Sequence, residues 1–228
     1  MFRATAAALL LSVTISTASH AQEIGTLITR SAAQVDYADK NAARLLTNRW
    51  AKCVVQQSPA RIEIYLSMPV GSKASRDMAR RFLTGESNCI SGSVESRELS
   101  VADQVTRGAL FEALFVRNFG RDDATDLSQA APLTYDWAPG AEITPDAQQA
   151  TALARVGDCM VRKNTGGARQ LMRTEPGSVG ESQAISGMVP FLGGCLPKGK
   201  QYQFSKSLLR GTVAEPLFRL SMAAGKPN

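Results

Sequence analysis

Two glutamates occupy matching positions in a segment that the sequence contains twice. Both segments read Arg-Gly-x-x-x-Glu-x-Leu-Phe, and their matching residues are Arg107, Gly108 and Glu112 in the first and Arg210, Gly211 and Glu215 in the second. Glycan-cleaving enzymes use a pair of carboxylates as general acid and base, so Glu112 and Glu215 are the candidate catalytic residues. A neighbouring arginine lowers the pKa of a carboxyl, and a carboxyl with a lowered pKa is a poor general acid. We therefore favour a structural interpretation, in which arginine and glutamate of one segment pair and the glycine lets another helix approach.

Four cations lie close together in the second half of the sequence, and they are Arg162, Lys163, Arg169 and Arg173. They could bind phosphate or a polyanion, since Gly166-Gly167 would allow close approach to the backbone. The segment is not a P-loop, because no Gly-Lys-Ser/Thr follows the glycines. A solvated helix face explains the same cluster, and we favour that interpretation.

The sequence has one histidine, His20, and it lies in an N-terminal segment that we expect to be removed. Ser/His/Asp and Cys/His catalysis need an imidazole base, so we expect neither in the mature chain. Histidine is also the commonest ligand of protein-bound metals. The sequence therefore predicts no metal site and no cofactor.

Residues 1–21 have the features of a secretory signal peptide. A positive charge, Arg3, precedes an apolar stretch from Ala4 to Ile15, and Ser19-His20-Ala21 supplies the small residues that a signal peptidase reads. The apolar stretch is shorter than the ~20 residues that span a bilayer. We therefore predict cleavage after Ala21, no transmembrane segment, and a mature protein in the periplasm or outside the cell.

The four cysteines are arranged as two equally spaced pairs. Cys53 and Cys89 are separated by the same number of residues as Cys159 and Cys195. The equal spacing predicts disulfides within each pair, and an exported protein meets an oxidising compartment where such bonds persist. Each bond would contribute roughly 4 kcal/mol by the chain-entropy estimate. No Cys-x-x-Cys motif is present, so we interpret both bonds as structural rather than redox-active.

The cysteine pairs belong to a longer internal repeat. A shift of 106 positions matches both cysteines and also pairs Gly71 with Gly177 and Ser72 with Ser178. The Arg-Gly segments match at a shift of 103 positions, three fewer than the cysteines. We infer two divergent copies of one unit, at residues 22–119 and 144–228, joined by a connector at residues 120–143.

The spacing of apolar residues predicts that each unit has four helices and that the fold is mainly all-α. Capping residues mark the helix starts, with Ser58, Ser72 and Ser100 in the first unit and Thr144, Asn164 and Ser178 in the second. Lys200 to Phe204 alternates polar and aromatic residues, and Ser96 to Leu99 is its counterpart. A short β-contact between the two copies is therefore an alternative that the pattern allows.

The connector differs from the two units in charge and in its aromatic residues. It carries a single basic residue, Arg121, among several aspartates, whereas the units are basic. A basic body attracts anionic polymers weakly. Tyr135 and Trp137 could stack on sugar or peptide, but aromatics in a long connector more often anchor it to the core, which we favour.

The combination of Cys-Val-Val, a short apolar helix, a second cysteine and Arg-Gly-x-x-x-Glu-x-Leu-Phe resembles uncharacterised exported proteins of sphingomonad-type alphaproteobacteria. The resemblance covers roughly residues 40–220. It implies a location in the cell envelope and carries over no activity or site residue.

The sequence thus favours an exported, non-catalytic binding or scaffolding protein, with a glycan-cleaving enzyme that uses Glu112 or Glu215 as the alternative. The partner we expect is an anionic envelope component or an envelope protein rather than nucleic acid.

Overall fold

Eight α-helices make up most of the residues that the structure describes. The structure is a computed structural model, and it describes residues 40–85, 89, 103–120, 125–137, 140–197 and 202–225. The helices are α1 (Lys40–Gln57), α2 (Pro59–Ser67), α3 (Lys73–Gly85), α4 (Asp103–Phe119), α5 (Pro145–Lys163), α6 (Thr165–Arg173), α7 (Val179–Leu192) and α8 (Lys206–Ala223). The described residues include no strand, so the predicted all-α fold class is confirmed.

The short β-contact between the two copies does not occur in the part of the chain that the structure describes. Residues 202–205 precede α8 without forming a strand. The rings of Tyr202 and Phe204 instead pack on each other, with centroids 6.2 Å apart. The proposed counterpart, Ser96 to Leu99, lies outside the described residues.

Polar side chains start most of the helices, as the sequence predicts. Thr144 and Ser178 accept hydrogen bonds from the backbone amides of Ala147 and Glu181, and so cap α5 and α7. Asn164, Ser72 and Ser205 cap α6, α3 and α8 in the same way. Ser58 precedes α2 without a capping hydrogen bond from its side chain, and Pro59 at the first helical position starts that helix. Ser100 lies outside the described residues.

The helix bounds follow the spacing of the sequence repeat. Both ends of α6 lie 106 residues after those of α2, and α8 begins 103 residues after α4. Gly71 and Gly177 also match, with φ angles of 70° and 85°, and each lies against the start of the other half's first helix, at Asp146 and Asn41. A common origin of the two halves stays a prediction.

The helices α4 and α8 cross at Gly108 and Gly211. A Cβ atom placed on Gly108 would lie 2.4 Å from the Cα atom of Gly211, and one on Gly211 would lie 3.1 Å from the Cα atom of Gly108. A side chain at Gly108 would overlap helix backbone, which cannot rotate away as a flexible side chain can. The repeated glycine therefore lets the two helices approach this closely.

One hydrophobic core is shared by the two halves of the chain. Phe111 and Phe119 of α4 pack against Phe218 of α8, with ring centroids 6.0 and 6.3 Å apart. Buried side chains from both halves surround them, including Trp50 and Met160. A unit of roughly 80 residues has a marginal core by itself. The shared core therefore means that each half stabilises the other.

Both predicted disulfides are present. Cys53 of α1 is bonded to Cys89, and Cys159 of α5 is bonded to Cys195, which follows the end of α7. The Cα atoms are 5.6 and 5.7 Å apart, within the usual range for a disulfide. Each bond ties the first helix of its half to the chain that follows the third.

Peptide mapping without reduction should recover these same two linkages from protein isolated from cells. Each bond joins cysteines whose Cα atoms already lie at bonding distance, so no rearrangement is needed. Mass spectrometry of a proteolytic digest identifies the linked peptides. A linkage between halves, such as Cys53 with Cys195, would contradict the structure, and a digest of reduced, alkylated protein is the control.

Candidate functional site

The charged residues of the repeated segments belong to a buried network that joins the two halves. Glu112 on α4 is 2% exposed, and its carboxylate accepts hydrogen bonds from Nε and Nη2 of Arg210 on α8, at 2.5 and 2.8 Å. Nδ2 of Asn48 on α1 donates a third hydrogen bond, at 2.6 Å. The pair of Glu112 and Arg210 is bidentate and shielded from water, so it fixes the relative orientation of α4 and α8 as well as stabilising their contact.

Arg210 also binds the end of α6. Its Nη1 atom donates to Oγ1 of Thr174 at 3.0 Å, and its Nη2 atom donates to the backbone carbonyl of Thr174 at 2.6 Å. Thr174 follows the last residue of α6, so this arginine satisfies a carbonyl that the helix leaves unpaired. Nη1 further donates to Oε1 of Glu181 on α7, at 3.2 Å.

Arg44 on α1 completes the network. Its guanidinium donates to both carboxylate oxygens of the fully buried Glu181, with 2.8 Å between Nη1 and Oε2. The backbone amide of Gly177 donates a further hydrogen bond to Glu181 at 2.9 Å. Two arginines and two glutamates from four helices thus alternate, and their charges balance inside the fold. We call these four residues, Arg44, Glu112, Glu181 and Arg210, the buried charge network.

Burial and neighbouring charge act in opposite directions on the pKa values of the buried charge network. Burial raises the pKa of Glu181, but Arg44, the Gly177 amide and Arg210 outweigh it, so the pKa lies below its ordinary value. Burial lowers the pKa of Arg210, but the hydrogen bonds and charges of Glu112 and Glu181 reverse this, so its pKa is raised. Both Glu181 and Arg210 are therefore charged at neutral pH.

Replacing Glu181 with glutamine should make the protein less stable at neutral pH and less sensitive to acid. A carboxyl whose pKa is lowered on folding stabilises the folded state at pH values above its unfolded pKa of about 4.3. That stabilisation is lost as the pH falls through the lower folded-state pKa. The difference in unfolding free energy between wild type and Glu181→Gln should therefore shrink between pH 7 and pH 3, as measured by urea denaturation.

Glu63→Gln is the matched control for this experiment, because Glu63 is an exposed residue of α2. Its unfolding free energy should stay close to that of wild type at both pH values. If the difference in unfolding free energy between wild type and Glu181→Gln stayed constant between pH 7 and pH 3, the charge of Glu181 would not contribute to stability.

The expected pairing of Arg107 with Glu112 is wrong, because these side chains leave α4 in different directions. Residues five apart are separated by about 140° around a helix, whereas pairs form between residues three or four apart. Arg107 instead donates to the backbone carbonyls of Tyr65 and Leu66, at 3.1 and 2.6 Å, and lies over the Tyr65 ring. Arg107 thus donates to backbone carbonyls at the end of α2, as Arg210 donates to the carbonyl of Thr174 at the end of α6.

Glu215 has different surroundings from Glu112, although the two match in the repeat. It pairs with Arg219 one turn further along α8, at 2.8 Å, and its side chain is 14% exposed. The carboxylate of Glu112 is enclosed by protein and occupied by three hydrogen bonds. This geometry favours a structural role for Glu112 and an ordinary helix ion pair for Glu215.

The basic cluster does not form a single surface. Arg169 is 7% exposed and donates to the backbone carbonyl of Thr125, because it lies on the inner side of α6 with Ala168 and Met172. Arg162 pairs with Asp158 at 2.9 Å. The exposed members of the cluster are Lys163 and Arg173.

The connector is anchored to the second half through Tyr135. Its hydroxyl donates to the backbone carbonyl of Ala154 on α5 at 3.1 Å, and the guanidinium of Arg219 lies 5.7 Å from its ring centre. Burial raises the pKa of Tyr135, and the nearby carboxylates of Glu215 and Asp158 raise it further. These contacts agree with the interpretation that Tyr135 anchors the connector to the core.

A shallow pocket of about 280 Å³ lies where the ends of α4 and α6 meet the middle of α1. The buried side chains of Phe115 and Met172 line its inner part, and the exposed Lys52 and Arg173 lie at its edge. The remaining lining residues are Val116, Gly120, Thr174 and Glu175. Sequence reasoning missed this pocket because three distant segments build it, and of its residues only Arg173 was a candidate.

Among the described residues, no group of three or more His, Cys, Asp or Glu side chains is arranged to hold a metal ion. No helix in the described part is long and apolar enough to cross a membrane. Comparison with protein-family models, with curated proteins and with solved structures found nothing that matches this chain.

Proposed function

We propose that this protein is an exported, non-catalytic binding or scaffolding protein of the bacterial envelope. The observation that carries the proposal is the burial of Glu112, which the repeated motif made a candidate catalytic residue. It is buried and occupied by Arg210 and Asn48, so it stabilises the contact between halves instead of facing a substrate. The chemistry available on the surface is then that of exposed charge and a small pocket, which suits binding.

The export part of the proposal is supported by the predicted signal peptide at residues 1–21 and by the two disulfides. Disulfides of this kind persist in the periplasm and outside the cell, whereas cytosolic thiols are kept reduced. A binding protein with one shared core and two covalent ties keeps its surface in a fixed arrangement without a ligand.

Cell fractionation with thiol labelling tests the location. After osmotic shock, the protein should appear in the periplasmic fraction or the medium, cleaved after Ala21. Its four cysteines should react with a maleimide only after reduction, because both bonds are formed. A full-length, thiol-reactive protein retained in the cytoplasm would contradict export, and a cytosolic protein of the same host is the fractionation control.

An assay on purified peptidoglycan tests the non-catalytic part against the glycan-cleaving alternative. We expect the wild-type protein to release soluble fragments no faster than Glu112→Gln or Glu63→Gln does. Release that depends on Glu112 or Glu215, but not on Glu63, would overturn the proposal in favour of a hydrolase.

Crosslinking in intact cells tests the binding part. The protein should crosslink reproducibly to an envelope component. An excess of unlabelled protein should reduce the amount of this adduct, because the two compete for the same partner. A chain that forms no saturable adduct in the envelope would contradict a binding or scaffolding role.

A further inference from the structure

The pocket between α1, α4 and α6 combines an apolar interior with uncompensated positive charge. Phe115 and Met172 line its inner part and are at most 2% exposed. Lys52 and Arg173 are exposed, and neither side chain forms a hydrogen bond or ion pair with the residues that the structure describes. A ligand that fits both features carries a negative group and an apolar group.

One carboxylate, Glu175, also lines the pocket, but an arginine lies opposite to it. Nη2 of Arg49 is 3.9 Å from Oε1 of Glu175, and both side chains are well exposed. Among the described residues, the charges at or next to the pocket are therefore three cations, Lys52, Arg173 and Arg49, and one anion, Glu175. These described charges give a net positive field at the pocket, which attracts an anion most strongly at low ionic strength.

In the second half, two residues at the matching sequence positions lie near an aromatic ring. The shifts of 106 and 103 residues relate Lys52 to Asp158 and Val116 to Arg219. In that half the ring of Tyr135 packs beside Arg219, and its hydroxyl is bound to Ala154. In the first half the residues at these sequence positions, Lys52 and Val116, line the pocket.

We propose that this pocket binds a small organic anion, in which one carboxylate or phosphate group is attached to an apolar group the size of a benzene ring. This inference rests on the proposed binding function and names the ligand class. The volume of about 280 Å³ is at the lower end for ligand pockets, so it accommodates a ring but not a long chain or a polymer. The ring packs on Phe115 and Met172, and the anion lies between Lys52 and Arg173.

An NMR titration of the mature, disulfide-bonded protein tests the inference with defined probes. Phenylacetate and phenyl phosphate should produce saturable shifts in the backbone amides of residues 115–120 and 172–175, with dissociation constants on the order of 1 mM. Benzyl alcohol lacks the charge and acetate and inorganic phosphate lack the ring, so each should bind about tenfold more weakly or worse. The ratio between the two ring-bearing anions shows whether a carboxylate or a phosphate is preferred.

Two variants with a matched control locate the binding charge. Lys52→Met and Arg173→Met should each weaken phenylacetate binding by about three- to fivefold, the effect of one partly exposed charge contact, and together they should abolish it. Arg155→Met removes an exposed cation of α5 outside the pocket and should leave binding unchanged. All three side chains are exposed, so the variants should fold, which their spectra verify.

Three results would overturn the inference: no saturable shifts at these amides with either anion, equal binding of benzyl alcohol, or equal weakening by Arg155→Met. The proposed function fails separately. Envelope crosslinking with no anion binding would reject the pocket and keep the binding role. Anion binding by a protein that cleaves peptidoglycan would keep the pocket and reject the non-catalytic role.

Discussion

Arg210→Met should lower the free energy of unfolding by about 3–5 kcal/mol, the cost of leaving a buried charge without its partner. The substitution keeps much of the aliphatic stem but removes both hydrogen bonds to Glu112. It also removes the bonds to Thr174 and to Glu181. Glu181 keeps Arg44, so the uncompensated charge is that of Glu112, enclosed between α4 and α8. Chemical denaturation at neutral pH measures the loss.

Arg219→Met is the matched control for that experiment, because Arg219 lies on the same helix and also pairs with a glutamate of the repeat. The side chain of Arg219 is 31% exposed and that of its partner Glu215 is 14% exposed, so water reaches the carboxylate once the arginine is removed. We expect a loss of about 1 kcal/mol, from a screened ion pair and a contact with the rings of Phe111 and Tyr135. Equal losses in the two variants would contradict a special role for the buried pair.

Glu112→Gln should cost about 3 kcal/mol or more, whereas Glu215→Gln should cost about 0.5 kcal/mol. The two glutamates match in the repeat, but their environments differ. A glutamine at position 112 offers one acceptor oxygen where three hydrogen-bond donors now converge, and its amide adds donors of its own. A glutamine at position 215 loses only an ion pair within one helix. Thermal and urea unfolding of both variants measure the contrast.

The sign of the Glu112→Gln effect also separates the proposed function from its alternative. Catalytic carboxylates are held in environments that cost stability, so their removal often stabilises a protein. A Glu112→Gln variant that melted at or above the wild-type temperature would therefore favour catalysis. A double-mutant cycle with Arg210→Met then gives the coupling energy, which should be well above 0.5 kcal/mol for a direct contact.

Much of the fold could be predicted from sequence because its signals are local. Thr144, Asn164 and Ser178 each cap a helix start with a side-chain oxygen, which needs only residues three positions away. The cysteine pairing was predicted from the equal spacing of the two pairs, and the structure confirms it. The helix starts are therefore set by short-range chemistry, whereas the two bonds join residues 36 apart and were found through their repeated spacing.

The candidate site was predicted less well because its contacts join distant segments. The repeat called attention to Arg210 and Glu112, but it suggested partners within each segment. The five-residue spacing excludes that pairing, and this signal was present in the sequence. Arg44 and Glu181 gave no such signal, since nothing near them indicates that α1 would lie against the start of α7.

By itself, the sequence determined the helices, the disulfides and the presence of a repeated Arg-Gly-x-x-x-Glu segment, because each depends on residues close together or equally spaced. Only the tertiary structure decided which charges meet. The crossing of α4 and α8 at Gly108 and Gly211 brings Glu112 to Arg210 across the two halves and leaves Glu215 on the partly exposed side of α8. The same crossing is part of the packing that sets the ends of α4 and α6 beside Lys52, because helix packing angles, not sequence neighbours, determine where pockets form.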